Sequence, residues 1–281
     1  MPKIAVHMHL FYTQQLNDLL SRLQNMDGTP YDLYVTICED NDETIKKIRQ
    51  IKPQAKIWQV PNLGYDVGPF IDFLHHINLD NYDYILKIHT KRTHSSNYCY
   101  FNKRRFDVRT WREMLLDAII SKPAISEALN LLAKDSKIGM LGSSFVLTNE
   151  KKALHNLEKD IEAEMRKIGL ETPDDKHFIA GTMFWVRSKL LKPFLAYNIH
   201  NFEPSSANTH DETLAHVLER MFGIAITAQG YKIKGICYKK FLFNRFMVNF
   251  QRFIFQKKVT HRGKTLIKIC KIPVYCRKEN I

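Results

Sequence analysis

Over its first 95 residues the chain alternates short β-branched runs with segments of helical spacing, and few folds accept that rhythm. Residues 3–9 read as a strand. Residues 14–26 place Leu16, Leu19, Leu20 and Leu23 on one helical face, closed by Asp27-Gly28. A second strand is expected over 31–38 and a helix over 42–51. A third strand then falls over 56–60, a third helix over 69–76 and a fourth strand over 84–88. Strands separated by helices predict an α/β fold, a Rossmann-type mostly parallel sheet with flanking helices. Ligands of such sheets bind beyond the carboxyl ends of the strands. Further on, 96–135 reads as helical and carries Lys103, Arg104, Arg105, Arg109 and Arg112. A strand is expected over 137–142, a charged solvated helix over 150–168, an apolar strand over 178–186 and a helix over 211–222.

Charge divides the chain. Of 42 Lys+Arg and 29 Asp+Glu, fourteen basic residues and only Glu279 fall in residues 231–281, so the net charge of +13 belongs to the tail and the body is neutral. This predicts two parts, a catalytic domain over 1–230 and a basic amphipathic docking tail over 231–281. The five cysteines (Cys38, Cys99, Cys237, Cys270, Cys276) form no CxxC pair, which argues against zinc-ribbon and thioredoxin chemistry and fits a reducing compartment. With no signal-peptide pattern at the start and no run of 18 apolar residues, the expectation is a cytoplasmic protein whose membrane contact is peripheral.

Candidate chemistry collects at the strand ends. Asn62-Leu63-Gly64-Tyr65-Asp66-Val67-Gly68-Pro69 follows the third strand. Its glycines let backbone approach a ligand, and Asp66 can accept from ribose or base groups or simply cap a turn. It is neither a GxGxxG fingerprint nor a Walker A loop, which weakens dehydrogenase and NTPase readings. At the fourth strand's end, alternation puts Lys87, His89 and Lys91 on one side, with Arg92 following. Nitrogen donors there suit a diphosphate whose negative charge grows as it leaves. Asp211-Glu212 opens the last helix, either as helix-start acids or as a carboxylate base for a hydroxyl nucleophile. Asp211, His216 and Glu219 match no strong zinc spacing. Trp185 and Phe184 read as packing, Arg187 stays ambiguous, and His7 and His9 are either structural or near a nucleotide pocket.

Taken in order, four motifs resemble the rhamnan synthesis protein F family. They are Asn62-x-Gly64-x-Asp66-x-x-Pro69-Phe70, Lys87-x-His89-Thr90-Lys91-Arg92, Gly181-Thr182-Met183-Phe184-Trp185-x-Arg187 and Asp211-x-Thr213-x-Ala215-His216-x-x-Glu219-Arg220. The resemblance covers roughly residues 3–230. It implies a GT-A-like glycosyltransferase acting on bacterial surface polysaccharide, with rhamnose the family's best-known sugar. His7, Asn62, Gly64, Asp66, Lys87, His89, Lys91 and Arg92 would then bind the nucleotide-sugar donor. Asp211 resembles the base of inverting enzymes, and Glu212 departs from the family's frequent glycine. The basic His89-Thr90-Lys91 stands where many GT-A enzymes carry a metal-binding Asp-x-Asp, which implies a donor held without a required cofactor or metal.

Residues 241–256 interleave Phe243, Phe246, Met247, Phe250, Phe253 and Ile254 with Arg245, Asn249, Arg252 and Gln256, the pattern of an interfacial helix or of a terminal helix on its own core. A basic hairpin-like stretch follows over 264–277. The expected partners are a nucleotide-sugar donor, a glycan or lipid-linked glycan acceptor and, through 241–278, an anionic membrane surface. Two alternatives stand beside the transferase: a noncatalytic scaffold of a polysaccharide assembly complex, and a nucleic-acid-binding protein, the latter lacking any RNP-like motif.

Overall fold

The computed structural model describes residues 1–39, 41–92, 98–101, 104–149, 157–205, 213–237, 250, 253–259, 264–270 and 272–278. The chain divides into two compact units, Met1–Cys237 and Tyr238–Ile281.

The first unit opens with the expected alternation: β1 (Ile4–Leu10), α1 (Leu16–Leu23), β2 (Asp32–Ile37), α2 (Asp42–Ile51), β3 (Lys56–Gln59), α3 (Val67–His76) and β4 (Tyr84–His89). The spacing of leucines in α1 buries all four of them. The Asn41 side chain caps α2 by accepting from the Thr44 backbone N–H. β1 is buried along its whole length, as expected of a central strand covered on both faces, and it carries two buried polar residues, His7 and His9. The unit continues through β5 (Tyr98–Phe101), β6 (Arg104–Asp107), α4 (Val108–Ile120), α5 (Lys122–Lys134), β7 (Ile138–Ser143), β8 (Leu147–Thr148), α6 (Glu158–Lys167), β9 (Phe178–Ile179), β10 (Phe184–Arg187), α7 (Leu214–Ala228) and β11 (Lys232–Ile236).

Seven strands form the central sheet in the order β11-β7-β10-β4-β1-β2-β3. Only β10 runs against the others, antiparallel to both β4 and β7. The chain winds from β1 outward to β2 and β3, then returns to place β4 on β1's other side. The crevice beyond the ends of β1 and β4 is therefore the topological switch point. Phe70 and Phe73 of α3, Phe184 of β10 and Phe222 of α7 join in a buried aromatic layer, with Phe70–Phe222 centroids 5.4 Å apart and Phe184–Phe222 5.7 Å. Each such ring contributes about 1.5–3 kcal/mol on burial.

Three expectations are corrected. The stretch 96–135 is not helical throughout: the aromatic run Tyr98–Phe101 pairs antiparallel with Arg104–Asp107, and the helix begins only at Val108. Aromatic and alternating residues favour that pairing over a helix start. The strand over 178–186 is broken in two, because Gly181 (φ 86°) and Thr182 (φ 53°) adopt left-handed backbone between β9 and β10. Of the helix over 150–168 the described part is Glu158–Lys167, and the last helix runs Leu214–Ala228, longer at its carboxyl end than 211–222. The first compact unit runs to Cys237, and β11 completes its sheet by pairing parallel with β7.

In the second unit β12 (Phe255–Val259), β13 (Lys264–Ile269) and β14 (Ile272–Lys278) form an antiparallel meander. The hairpin over 264–277 is thus present. Most of the helix expected over 241–256 lies outside the described residues. Phe250 and residues 253–254 are helical, but Phe255 already pairs with Ile269 in the sheet, so the helix ends before it. Among the described residues no helix is long and apolar enough to cross a membrane.

Candidate functional site

Strand register assembles the site before any loop does. β1 and β4 place His7 beside Lys87 and His9 beside His89, while β2 sets Thr36 beside His9. Alternation turns all five toward α3. The Thr36 hydroxyl lies 3.0 Å from both His7 Nε2 and His9 Nδ1, tying the two rings together. His7 is fully buried and stacks on Phe73 at 4.7 Å, one layer below the cleft, so it does not line it.

Asp66 occupies the N-cap position of α3, yet its carboxylate caps nothing. It turns instead onto Lys87, whose ammonium donates to Asp66 Oδ2 at 2.5 Å, and it accepts from the Thr182 hydroxyl. Lys87 also donates to the Thr182 carbonyl at 3.0 Å and its hydroxyl at 3.1 Å. All three ammonium protons are thereby engaged, and Lys87 is wholly buried. The diphosphate contact expected of Lys87 has no free donor here.

Burial alone would push the Asp66 carboxyl up, but His89, Lys87 and Lys91 around it hold it well below the usual carboxylate range. Burial pushes Lys87 down, with Asp66 opposing. His9 is pushed down to about 4, chiefly by burial, against Asp66. His7 and His89 are lowered well below the usual imidazole value, again by burial first. All three imidazoles are therefore neutral at neutral pH, and the charge beside Asp66 comes from the lysines. His89 Nε2 stands 3.4 Å from Asp66 Oδ1, outside hydrogen-bond geometry, and both of its buried ring nitrogens lack a hydrogen-bond partner.

Beside this knot opens a cleft of about 510 Å³ at the switch point. Its walls come from the end of β1 (His9, Phe11, Tyr12), the end of β4 (His89, Thr90, Lys91, Arg92) and the glycine loop (Asn62, Tyr65, Asp66). Ser205 and His216 close the far side. Thr90 fastens two walls, its hydroxyl accepting the backbone N–H of Phe11 and of Tyr12 at 3.0 Å each. The Gln15 amide clamps the Lys91 backbone: Lys91 N–H donates to Oε1 at 3.2 Å and Nε2 donates to the carbonyl at 2.5 Å. Buried Arg112 supports Gln15 from behind at 3.0 Å.

The glycine loop is held by segment 203–205. Gly64 N–H donates to the Glu203 carbonyl at 3.0 Å and Tyr65 N–H to Ser205 Oγ at 2.8 Å. A Cβ on Gly68 would stand 2.1 Å from the Leu63 carbonyl oxygen, so only glycine lets α3 start this close to the loop. Two non-glycine residues with left-handed backbone, Tyr65 (φ 55°) and Thr182 (φ 53°), flank Asp66 in sequence and in space. Each costs roughly 1–3 kcal/mol, strain of the kind concentrated at binding sites.

Of the residues singled out by sequence, Asn62, Asp66, His89, Lys91 and Arg92 line the cleft together. Gly64 shapes it, and His7 and Lys87 lie beneath. Asp211 and Glu212 lie outside the described residues. Glu219 accepts from Gly181 N–H at 2.6 Å and pairs with Arg220, a structural use of its carboxylate. Arg187 donates to the Leu132, Asp135 and Ile138 carbonyls and so closes the carboxyl end of α5, while Trp185 donates to the Ile119 carbonyl from the core. Among the described residues no three His, Cys, Asp or Glu side chains gather as a metal site. Sequence reasoning missed Phe11, Tyr12 and Gln15. The signal was present, since two aromatics directly after the first strand fall at the ligand end of the sheet.

The sheet and its cleft define an α/β protein with a ligand-sized site at a Rossmann-type switch point. The chain belongs to the rhamnan synthesis protein F family, whose model matches residues 1–231. It is 27% identical over 238 residues to the protein WxcX of Xanthomonas campestris pv. campestris, covering 84% of this chain and 33% of that protein. The chain thus spans about a third of the length of the curated relatives it matches. Among solved structures, residues 1–349 of Staphylococcus aureus TarS align at 12% identity and TM-score 0.43, over 84% of this chain and 58% of that one. The mannosyltransferase PcManGT of Pyrobaculum calidifontis, solved with GDP-Man and Mn2+, aligns at 12% identity and TM-score 0.41, over 84% and 56%. Both likenesses are loose.

Proposed function

We propose that this protein is a glycosyltransferase that moves a sugar from a nucleotide-sugar donor onto a growing or lipid-linked surface glycan, with rhamnose one candidate sugar. The observation that carries this is the cleft itself. Aromatic Phe11 and Tyr12 line it together with cationic Lys91 and Arg92, at the switch point of a family member's sheet. An aromatic wall suits a nucleobase and the cations suit a diphosphate. Lys91 and Arg92 stabilise the departing nucleoside diphosphate, whose negative charge grows as the glycosidic bond breaks. Thr90 and Gln15 hold those cations in place through the backbone. Asp66 and Lys87 position the glycine loop against β4. Asp211, or Glu212 beside it, takes the proton of the attacking hydroxyl, with inversion at the sugar carbon. No divalent ion is needed in this scheme, because side-chain cations stand at the end of β4. The enzyme works at the cytoplasmic face of the membrane, where the basic residues of 241–278 meet an anionic surface.

Thermal shift and calorimetry against UDP-, GDP- and dTDP-sugars, each with and without Mn2+ or Mg2+, test the reading. A donor that raises the melting temperature without metal supports it. Lys91→Ala is expected to weaken that donor tenfold or more, and Asp211→Asn to abolish transfer while leaving donor binding intact. If no nucleotide sugar binds or is consumed under any condition, the transferase reading is wrong and a noncatalytic scaffold takes its place.

A further inference from the structure

We propose that the cleft binds its anionic ligand together with a proton, taken from solvent by the buried imidazole of His89. This deepens the donor-binding reading and rests on it.

The starting point is an unpaid polar debt. His89 is 1% exposed, it lines the cleft, and neither ring nitrogen has a hydrogen-bond partner. A buried polar atom left without a partner is costly, and native proteins seldom tolerate it without a use. The neighbouring histidines differ in part: His7, whose Nδ1 also lacks a partner, and His9 are each anchored by the Thr36 hydroxyl. His89 alone among these three is left without an anchor.

The charges around it explain why it stays neutral in the free site. On its own strand stand Lys87 and Lys91, both repelling a proton on the ring. From β1 comes His9, itself neutral. Above lies Asp66, the one anion in contact among the described residues, but Lys87 and Thr182 already engage its Oδ2. Arg92 and His216 also line the cleft. Among the described residues cations outnumber anions, and burial disfavours another charge.

An anion entering the cleft reverses that balance. A diphosphate against Lys91 and Arg92 neutralises the repulsion and adds attraction of its own. The protonated ring then has a second anion to face, and Asp66 Oδ1 stands 3.4 Å from Nε2, ready to accept from it after a small shift. The balance is simple: neutral imidazole, one proton from bulk water and the anion give an imidazolium–anion complex. No bond within the ligand changes. Binding that takes up a proton must weaken as pH rises, by up to tenfold per pH unit for one proton.

Nucleotide sugars are suitable probes because their esterified diphosphate does not itself titrate between pH 5.5 and 8. Titrating the full chain with UDP-glucose, GDP-mannose and dTDP-rhamnose identifies which of them binds. Calorimetry of the binder in buffers of different ionisation enthalpy then counts protons without any variant. Expected are net proton uptake at pH 6–7 and a dissociation constant that rises several-fold from pH 5.5 to 8. In His89→Asn the uptake should vanish, while His9→Asn and His216→Asn should keep it. A nucleotide sugar that binds with no proton uptake overturns the inference and leaves the donor reading intact. Uptake that survives in His89→Asn overturns the assignment to His89. If none of the three probes binds, the donor reading itself fails and takes the inference with it.

Discussion

Asp66 looks from sequence like a capping residue between two glycines, and its actual use is set by residues 21 and 116 positions away, Lys87 and Thr182. A buried lysine with its counter-ion removed is left charged in apolar surroundings, and breaking such pairs costs about 3–5 kcal/mol. Asp66→Asn should therefore lower unfolding free energy by roughly that amount, read by urea denaturation at pH 7. Thr182→Gly should be milder, since lost hydrogen bonding is partly offset by relief of the left-handed backbone. The histidines set the acid limb of stability. His7, His9 and His89 are held neutral in the folded state, so the unfolded chain binds more protons below the usual imidazole pKa. Stability then rises with pH in that window: it is whole above about pH 6.5 and falls as pH drops toward 4, the folded-state value of His9. Each ring contributes a slope of up to about 1.4 kcal/mol per pH unit. Melting curves from pH 7.5 to 4.5 should show this decline, and His9→Gln should flatten part of it. A flat profile would mean the rings are not neutral in the fold.

At the scale of elements, the β/α alternation was legible because each early strand and helix carries its own period. Lys87 and His89 sharing a side was legible too, since strand alternation needs no tertiary information. Strand direction was not. Nothing in Phe184-Trp185-Val186-Arg187 states that β10 runs against β4 and β7; that follows from how the chain returns after residue 179. The hairpin of β5 and β6 was hidden by arginines that suit a helix as well as a strand. Arg112 braces Gln15, a role fixed by a contact across 97 residues that no local pattern announces. The glycine loop offers the sharpest element-level test. Gly68→Ala places a methyl 2.1 Å from backbone oxygen and must part α3 from the loop, so it should cost several kcal/mol and abolish donor binding. Gly28→Ala is the control: with φ 84° and nothing within 4 Å of the added Cβ, only backbone strain of about 1 kcal/mol is expected. Equal effects at the two positions would mean that close approach is not what Gly68 supplies.

At the scale of the whole molecule, the chain separates the work of its cleft from the work of its charge. The sheet ends with β11 at Ile236, and the first compact unit closes one residue later. A chain cut after residue 237 should fold and keep the cleft. One cut after residue 230 loses β11 and bares the edge of β7, and it should aggregate or melt at lower temperature. Residues 238–281 hold twelve Lys+Arg against one acidic residue, and Phe255, Ile269, Ile272 and Val274 stand exposed in their meander, the first three in one cross-strand row. Apolar side chains beside dense positive charge are what an anionic lipid surface rewards on both counts. If six of the twelve cations engage, at about 1 kcal/mol each, affinity reaches tens of micromolar before any apolar insertion. The full chain should therefore sediment with phosphatidylglycerol vesicles and release in high salt, while residues 1–237 stay in the supernatant. Phe255→Ser with Ile272→Ser should weaken binding without removing its salt dependence, because charge and apolar contact are separate contributions. Equal sedimentation of the full and shortened chains would relocate the membrane contact to the neutral body, where no comparable excess of charge exists to explain it.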